Sequence, residues 1–308
     1  MSIAIIFNQK QSEEWLMKMQ SLLPNTKVEV YPNIINPSDV DFIVTWKPHQ
    51  DYIQEFPNLK VIQSVGAGID HLLHTQIPPS IKVTRIIDPT LKQDMFEHIL
   101  TCIISSMKNF PKYHKDQIQS QWNPTSYQSI KQTTVTILGL GEIGYYVAEK
   151  LVLLGFKVKG WSNSKKDLQQ IESFAGQNEL VEAISKTNFI VNILPLTKET
   201  KNLINKPFFD KVNDGTCLIN VGRGAHVNEK DLLDAIEEGK IAEAYLDVFS
   251  QEPLHSDHPF WINEQIYITP HIASITHADS CLSQVMENYR RMQDNVSLLN
   301  VVDIQKGY

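Results

Sequence analysis

Three residues of this chain, Arg223, Glu252 and His271, have side chains that suit one small reaction between them. Each follows an apolar run. Residues 216–221 lead into Gly222-Arg223-Gly224, residues 242–248 lead past Asp247 to Gln251-Glu252-Pro253-Leu254, and residues 266–269 lead into Pro270-His271-Ile272-Ala273-Ser274. Parallel strands of one open sheet bind ligands outside their carboxyl ends, so three such runs would bring these residues to a shared edge. The planar fork of an arginine suits a carboxylate with an adjacent carbonyl. An imidazole exchanges a proton near neutral pH, and a carboxylate beside it orients the ring and favours its charged form. Together such groups could grip a carboxylate and exchange a proton. Taken singly, each residue has an ordinary structural explanation, and most lone histidines are structural. Three complementary groups at strand ends point to a site.

A second constellation supplies the context. The β-branched run 135–138 opens directly into Gly139-x-Gly141-x-x-Gly144, and Ile143, Val147, Leu151 and Leu154 then recur at helical spacing. Strand, tight glycine turn and helix form the setting in which this spacing means dinucleotide binding. Gly139 allows the turn, Gly141 lets backbone approach a pyrophosphate, and Gly144 lets helix and strand pack closely. The helix start offers N–H donors and partial positive charge. The next strand, 156–161, should end at the adenosine ribose, where an acid would favour NAD. The chain has Ser162-Asn163-Ser164-Lys165-Lys166 there instead, with Asp167 only beyond the lysines. Hydroxyls, an amide and two ammonium groups suit a 2′-phosphate, so the expected cofactor is NADP.

Around these sites the chain alternates strands and helices, which implies parallel, doubly wound sheets. Strands are expected at 3–7, 27–31, 41–45, 59–65 and 81–86, with a helix from Ser12 that carries Trp15, Leu16, Met19 and Leu23 on one face. Inside this first run, Val65-Gly66-Ala67-Gly68-Ile69-Asp70 is either a turn chosen for its backbone angles or a nest of donors for a small carboxylate. Trp46 either walls a pocket or fills core. A helix spans 91–109, ended by Pro111, and a polar stretch through Gln132 reads as the crossing between two domains. Glu97 and His98 on that helix point to different faces and make a poor catalytic pair. A last helix is expected over 278–300.

Composition sets limits on function. A chain of 308 residues predicts two domains of ordinary size. A net charge of −7 disfavours a general nucleic-acid binder. No apolar run is long enough for a membrane span, and residues 3–7 are too short and lack the basic flank of a signal peptide. Cys102, Cys217 and Cys281 lie far apart, which predicts reduced thiols and a cytoplasmic location, with Cys217 in the core. His255 and His258 invite a metal, but no acid or thiol set completes a site, so none is expected.

With these pieces placed, the chain resembles the D-isomer-specific 2-hydroxyacid dehydrogenases that use NAD(P). The matching segments are V-G-A-G-I-D (65–70), L-G-L-G-E-I-G (138–144), L-P-L-T-K-E-T (194–200), N-V-G-R-G-A (220–225), L-D-V-F-S-Q-E-P-L (246–254) and T-P-H-I-A-S-I-T (269–276). By this resemblance Arg223 would bind substrate, His271 would be the acid/base and Glu252 its orienting partner. Trp46, Gly66, Ala67 and Gly68 would complete the substrate site. The cofactor would lie against Gly139, Gly141, Glu142, Ile143, Gly144, Ser162, Asn163, Ser164, Lys165, Leu194, Pro195, Thr200, Val221, Gly222, Arg223, Asp247 and His271. The members of the family it looks most like often carry an arginine where this chain has Asn163.

The resemblance further implies an α/β fold of two doubly wound parallel-sheet domains. A discontinuous, flavodoxin-like substrate domain would span 1–98 and 277–308, and a Rossmann-like NADP-binding domain would span 99–276. It implies a homodimer that reduces small 2-oxo acids such as glyoxylate and hydroxypyruvate with NADPH, NAD serving less well. Two other readings stay open at this point: a dehydrogenase for a bulkier 2-oxo acid, and a nucleotide-sensing, corepressor-like binding protein.

Overall fold

The computed structural model of the chain describes residues 2–7, 12–72, 75–276 and 278–304. Of the spans just named, positions 1, 8–11, 73, 74, 277 and 305–308 lie outside the described residues. The chain divides into two compact units, one of Met1–Leu91 with Thr276–Tyr308 and one of Lys92–Ile275.

The first unit is built on five parallel strands: β1 (Ser2–Phe7), β2 (Lys27–Val30), β3 (Val40–Trp46), β4 (Val61–Ser64) and β5 (Lys82–Thr84). Their order, β2-β1-β3-β4-β5, is that of flavodoxin-like sheets. Alternate residues of each strand face opposite sides, and both sides are apolar because both are covered. Ile3, Ile5, Phe42 and Val44 pack with Trp15 and Met19 of α1 (Ser12–Leu22). The same cluster takes in Leu282, Val285 and Tyr289 of the C-terminal helix Ala278–Gln293. Ala4, Ile6, Ile43 and Ile62 face the other way, onto Tyr52, Leu72 and Val302. That C-terminal helix is seven residues shorter than its expected span (293 against 300), because Asn295 turns left-handed at φ 54 and breaks the repeat.

The second unit carries a seven-stranded parallel sheet of β6 (Thr134–Leu138), β7 (Lys157–Ser162), β8 (Ile171–Ala175), β9 (Phe189–Asn192), β10 (Thr216–Asn220), β11 (Ile241–Leu246) and β12 (Ile266–Ile268). The order β12-β11-β10-β9-β6-β7-β8 is a Rossmann sheet with one added strand, and its order reverses between β6 and β9. Helix α2 (Pro89–Met107) lays Ile99 and Ile103 against one face, alongside Val147 and Leu151 of α4 (Glu142–Leu153). The opposite face is covered by α5 (Gly176–Ile184) and α7 (Glu229–Glu237). The short α6 (Lys206–Phe209) completes that layer through Phe208 and Phe209, and the C-terminal helix of the first unit is α8.

One expectation fails locally. Pro111 does not end a helix. Helix α2 stops at Met107, Asn109 turns left-handed at φ 56, and Pro111 sits in the first turn of a new helix, α3 (Phe110–Ile118). A proline costs nothing there, because first-turn N–H groups have no intrahelical partner.

Candidate active site

The glycine turn is held by its own backbone. Gly139 sits at φ +106, and a Cβ on Gly144 would collide with the Gly139 carbonyl oxygen. Gly141 differs, because a Cβ there would meet nothing within 4 Å. No protein neighbour demands that glycine, and it caps α4 without a side-chain hydrogen bond. Open space before uncapped N–H groups fits a pyrophosphate laid on the helix start. Glu142 occupies the first turn, where a carboxylate would repel phosphate, but its Oε2 lies 2.7 Å from Lys92 Nζ. Ile143 is half-buried and packs inward.

At the end of β7, Ser162 Oγ donates to the Ser164 carbonyl at 2.8 Å. Asn163, Lys165, Lys166 and Asp167 are exposed. Lys165 Nζ is 3.9 Å from Glu179 Oε1 and its side chain is 69% exposed, a loose surface pair that a bound anion could replace.

His271 and Glu252 are in contact: Nδ1 lies 2.8 Å from Oε2. A carboxylate only accepts, so Nδ1 carries a hydrogen and the opposite ring nitrogen, Nε2, is left to exchange protons. The other Glu252 oxygen accepts from the Phe249 N–H at 3.2 Å. His271 itself stands at φ 56, in the left-handed region. Asp247 holds it there. The Asp247 carbonyl accepts from the His271 N–H at 2.9 Å. Its buried carboxylate accepts from Thr269 Oγ1 at 2.6 Å and from the Ile272 and Ala273 N–H groups at 2.8 and 2.9 Å. This carboxylate is engaged with the histidine loop, a role that sequence reasoning missed. Its charge reaches α2: burial pushes the His98 imidazole down, while Asp247 pulls it up. Burial first, then Asp247, pushes the Cys102 thiol up to about 12. Cys102, Cys217 and Cys281 are all free and buried.

Arg223 sits on a loop clamped from two sides. A Cβ on Gly224 would collide with the Phe249 backbone, and one on Gly222 would come within 2.9 Å of Asn192 Nδ2 and 3.1 Å of His226 Nδ1. Phe249 therefore abuts the arginine loop and also donates to Glu252, which ties the three candidate groups into one assembly. Arg223 Nη1 donates to the Gly222 carbonyl at 2.8 Å, which fixes the start of the fork. Beneath the loop, Asn220 Nδ2 donates to the Arg223 carbonyl at 3.2 Å, and Val221 donates its N–H to the Asn192 carbonyl at 3.1 Å. In the neighbouring loop, Leu194 is buried, and Thr200 Oγ1 donates to the Pro195 carbonyl at 2.7 Å. Asn192, Asn220 and His226 were not expected in the site. Each asparagine is the polar last residue of a buried strand, but that place alone does not say what it bonds, and His226 carries no such mark.

In the first unit, the ring of Trp46 lies where a Cβ on Gly66 would go and meets the His71 ring at 4.6 Å with the two planes tilted by 50°. The Gly66 N–H donates to Ser64 Oγ at 3.1 Å, and Arg85 Nη1 donates to the Ala67 carbonyl at 3.0 Å. Among the described residues, the Ala67 and Gly68 N–H groups are the donors this loop has left to offer. His255 pairs with Asp257 at 2.9 Å and His258 with Glu229 at 3.3 Å.

Comparison with known proteins follows the same lines. The description of the D-isomer specific 2-hydroxyacid dehydrogenases, NAD binding domain, matches residues 100–273. A glyoxylate/hydroxypyruvate reductase A of Yersinia enterocolitica is 33% identical over 304 residues, covering 97% of each chain. A D-isomer specific 2-hydroxyacid dehydrogenase of Xanthobacter autotrophicus, solved with NADPH and MES, superposes with a TM-score of 0.95 at 32% identity, over 100% of this chain and 99% of that one. An NADPH-dependent glyoxylate/hydroxypyruvate reductase of Sinorhizobium meliloti, solved with NADP and sulfate, gives 0.93 at 30% identity over 100% of both chains.

Proposed function

The chain belongs to the D-isomer-specific 2-hydroxyacid dehydrogenases, and on that premise we propose that it reduces small 2-oxo acids with NADPH, glyoxylate and hydroxypyruvate first among them. The observation that carries the reading is the His271–Glu252 pair, joined through Phe249 to the arginine loop at neighbouring strand ends. Arg223 grips the substrate carboxylate with its fork and draws charge from the adjacent carbonyl. His271 Nε2 delivers a proton to the carbonyl oxygen, while Glu252 holds the Nδ1 hydrogen and thereby the ring. NADPH, when bound, supplies the hydride to C2, so that oxo acid, NADPH and one proton become hydroxy acid and NADP⁺.

Small substrates are favoured because the relatives this chain resembles are named for glyoxylate and hydroxypyruvate. NADPH is favoured over NADH by the two lysines and the lack of an acid directly after β7. A homodimer is supported by the exposed aromatics of the stretch after α2, where Trp122 is 94% exposed and Phe110 and Tyr127 are also exposed. A cytoplasmic location accords with three free thiols, and among the described residues no helix is long and apolar enough to cross a membrane. The test is NADPH oxidation against glyoxylate, hydroxypyruvate, pyruvate and phenylpyruvate. Highest kcat/KM with the first two is expected. Preference for phenylpyruvate would overturn the substrate assignment, and no turnover with any of the four would overturn the enzymatic one.

A further inference from the structure

His226 is fully buried in the second unit, and no step of the reaction above uses it. Its Nδ1 faces the Arg223 N–H at 3.1 Å and Asn192 Nδ2 at 2.9 Å, and its Nε2 lies 3.2 Å from the Pro195 carbonyl oxygen. The backbone N–H can only donate. The Asn192 amide is oriented by its other contacts: its Oδ1 accepts from the Leu194 N–H at 3.3 Å, and its Nδ2 also donates to Asn220 Oδ1 at 2.8 Å. Asn220 Oδ1 accepts in turn from the Gly222 N–H at 3.2 Å. Nδ1 of His226 is therefore an acceptor, and Nε2 bears the ring proton and donates it to Pro195. A second proton would have to sit on Nδ1, against two donors. An imidazole locked in this way does no acid/base chemistry. It braces the segment that carries Arg223 against the segment that carries Leu194 and Pro195.

We propose that His226 is a positioning residue for the reduction. Its Nδ1 sets the backbone from which the Arg223 guanidinium projects, and its Nε2 sets the Pro195 segment expected to flank the cofactor. The inference rests on the functional reading above. Because each ring nitrogen serves a different loop, the two duties are separable. Asparagine places an amide oxygen about where Nδ1 stands and reaches no further, whereas glutamine places an amide about where Nε2 stands and leaves the Nδ1 position empty.

His226→Gln should keep the dissociation constant for NADPH, read by quenching of protein fluorescence, within about threefold. Its kcat/KM for glyoxylate at saturating NADPH should fall about a hundredfold, the loss typical of a misplaced binding group. His226→Asn should do the reverse, raising the NADPH dissociation constant about tenfold while kcat/KM at saturating NADPH stays within about threefold. Equal loss of both quantities in both variants, or loss in neither, overturns the proposal. Should a variant fail to fold, nitrogen-15 NMR of the wild-type imidazoles decides. The His226 ring should stay protonated on Nε2 alone between about pH 5.5 and 8.5, and its resonances should move when NADPH is added. A ring that titrates in that range, or carries its proton on Nδ1, overturns the role. Wild-type protein assayed alongside separates the two failures: no NADPH binding and no turnover condemns the reading of the site, whereas normal turnover with undissociated variants condemns the role of His226 alone.

Discussion

The Nδ1 of His271 and the Oε2 of Glu252 lie 2.8 Å apart, and the second oxygen of the same carboxylate accepts from the Phe249 backbone. Both oxygens are thus engaged, so the acid is fixed and the ring with it. Glu252→Gln keeps shape and one acceptor but loses the charge that faces the imidazole. Its kcat for glyoxylate reduction should fall about tenfold to a hundredfold with KM little changed, since the ring loses the charged partner that orients its proton-donating nitrogen while the groups expected to grip the substrate are untouched. His271→Ala should lose more, about a thousandfold. Steady-state kinetics of the two variants check this, and a Glu252→Gln enzyme with native kcat would leave the imidazole without its partner.

Arg223→Lys keeps a positive charge and removes the planar fork. An ammonium cannot bridge a carboxylate and its adjacent carbonyl together. Both KM and kcat should suffer, with kcat/KM down about a hundredfold, equivalent to about 3 kcal/mol. Near-native kinetics in a folded Arg223→Lys protein would take Arg223 out of the site.

Replacing Lys165 and Lys166 together by alanine should weaken NADPH about tenfold, or about 1.4 kcal/mol, and leave NADH almost unchanged. Lys165 is exposed and only loosely paired with Glu179, so its removal should cost little folding stability. Dissociation constants for the two cofactors, measured on wild type and variant, provide the check. Equal affinity of the wild-type protein for NADPH and NADH would contradict the assignment.

Asp88 joins the end of the first run of strands to helix α8. Its carboxylate accepts from Ser280 Oγ at 2.5 Å, from the Thr90 N–H at 2.9 Å and from Cys281 Sγ at 3.4 Å. Burial works against the charge, but the hydrogen bonds, that of Ser280 foremost, outweigh it and hold the carboxyl below its usual value. A lowered folded-state value stabilises above the unfolded value of about 3.9, and the gain is lost as pH falls through the folded value. Asp88→Asn should therefore cost about 1–2 kcal/mol at pH 7, and the deficit should shrink below about pH 4. Urea midpoints measured across that range test it. A deficit that is constant with pH would mean the charge contributes nothing.

Most of the fold was legible because period and punctuation agree. Runs such as 135–138 and 216–220 are mostly apolar and fully buried, as strands covered on both faces must be, and glycines stand at the turns that need them. Strand β8 was not legible: only Ile171 and Phe174 of its five residues are buried apolar, and an edge strand half in water has no continuous run. Within the candidate site, Arg223, Glu252 and His271 stood out by residue type and by position after strands. Asn192, Asn220 and His226 did not, because what they do depends on hydrogen bonds between residues 28 and 34 positions apart, and no local pattern records those. The engagement of Asp247 with three groups of the histidine loop was hidden for the same reason: its donors lie 22 to 26 residues further on.

The left-handed backbone of His271 gives that position a history it can record. A residue with a Cβ stands there at a cost of about 1–2 kcal/mol, whereas glycine would relax it and asparagine would be eased. Stability alone would therefore favour another residue here, whereas the proton transfer proposed for His271 would keep the histidine in place. In a descendant that no longer turned over substrate but still bound nucleotide, drift at 271 toward glycine or asparagine would be favoured from the first step. Residue 271 would lose its histidine while the glycine turn at 139–144, needed for binding alone, stayed intact.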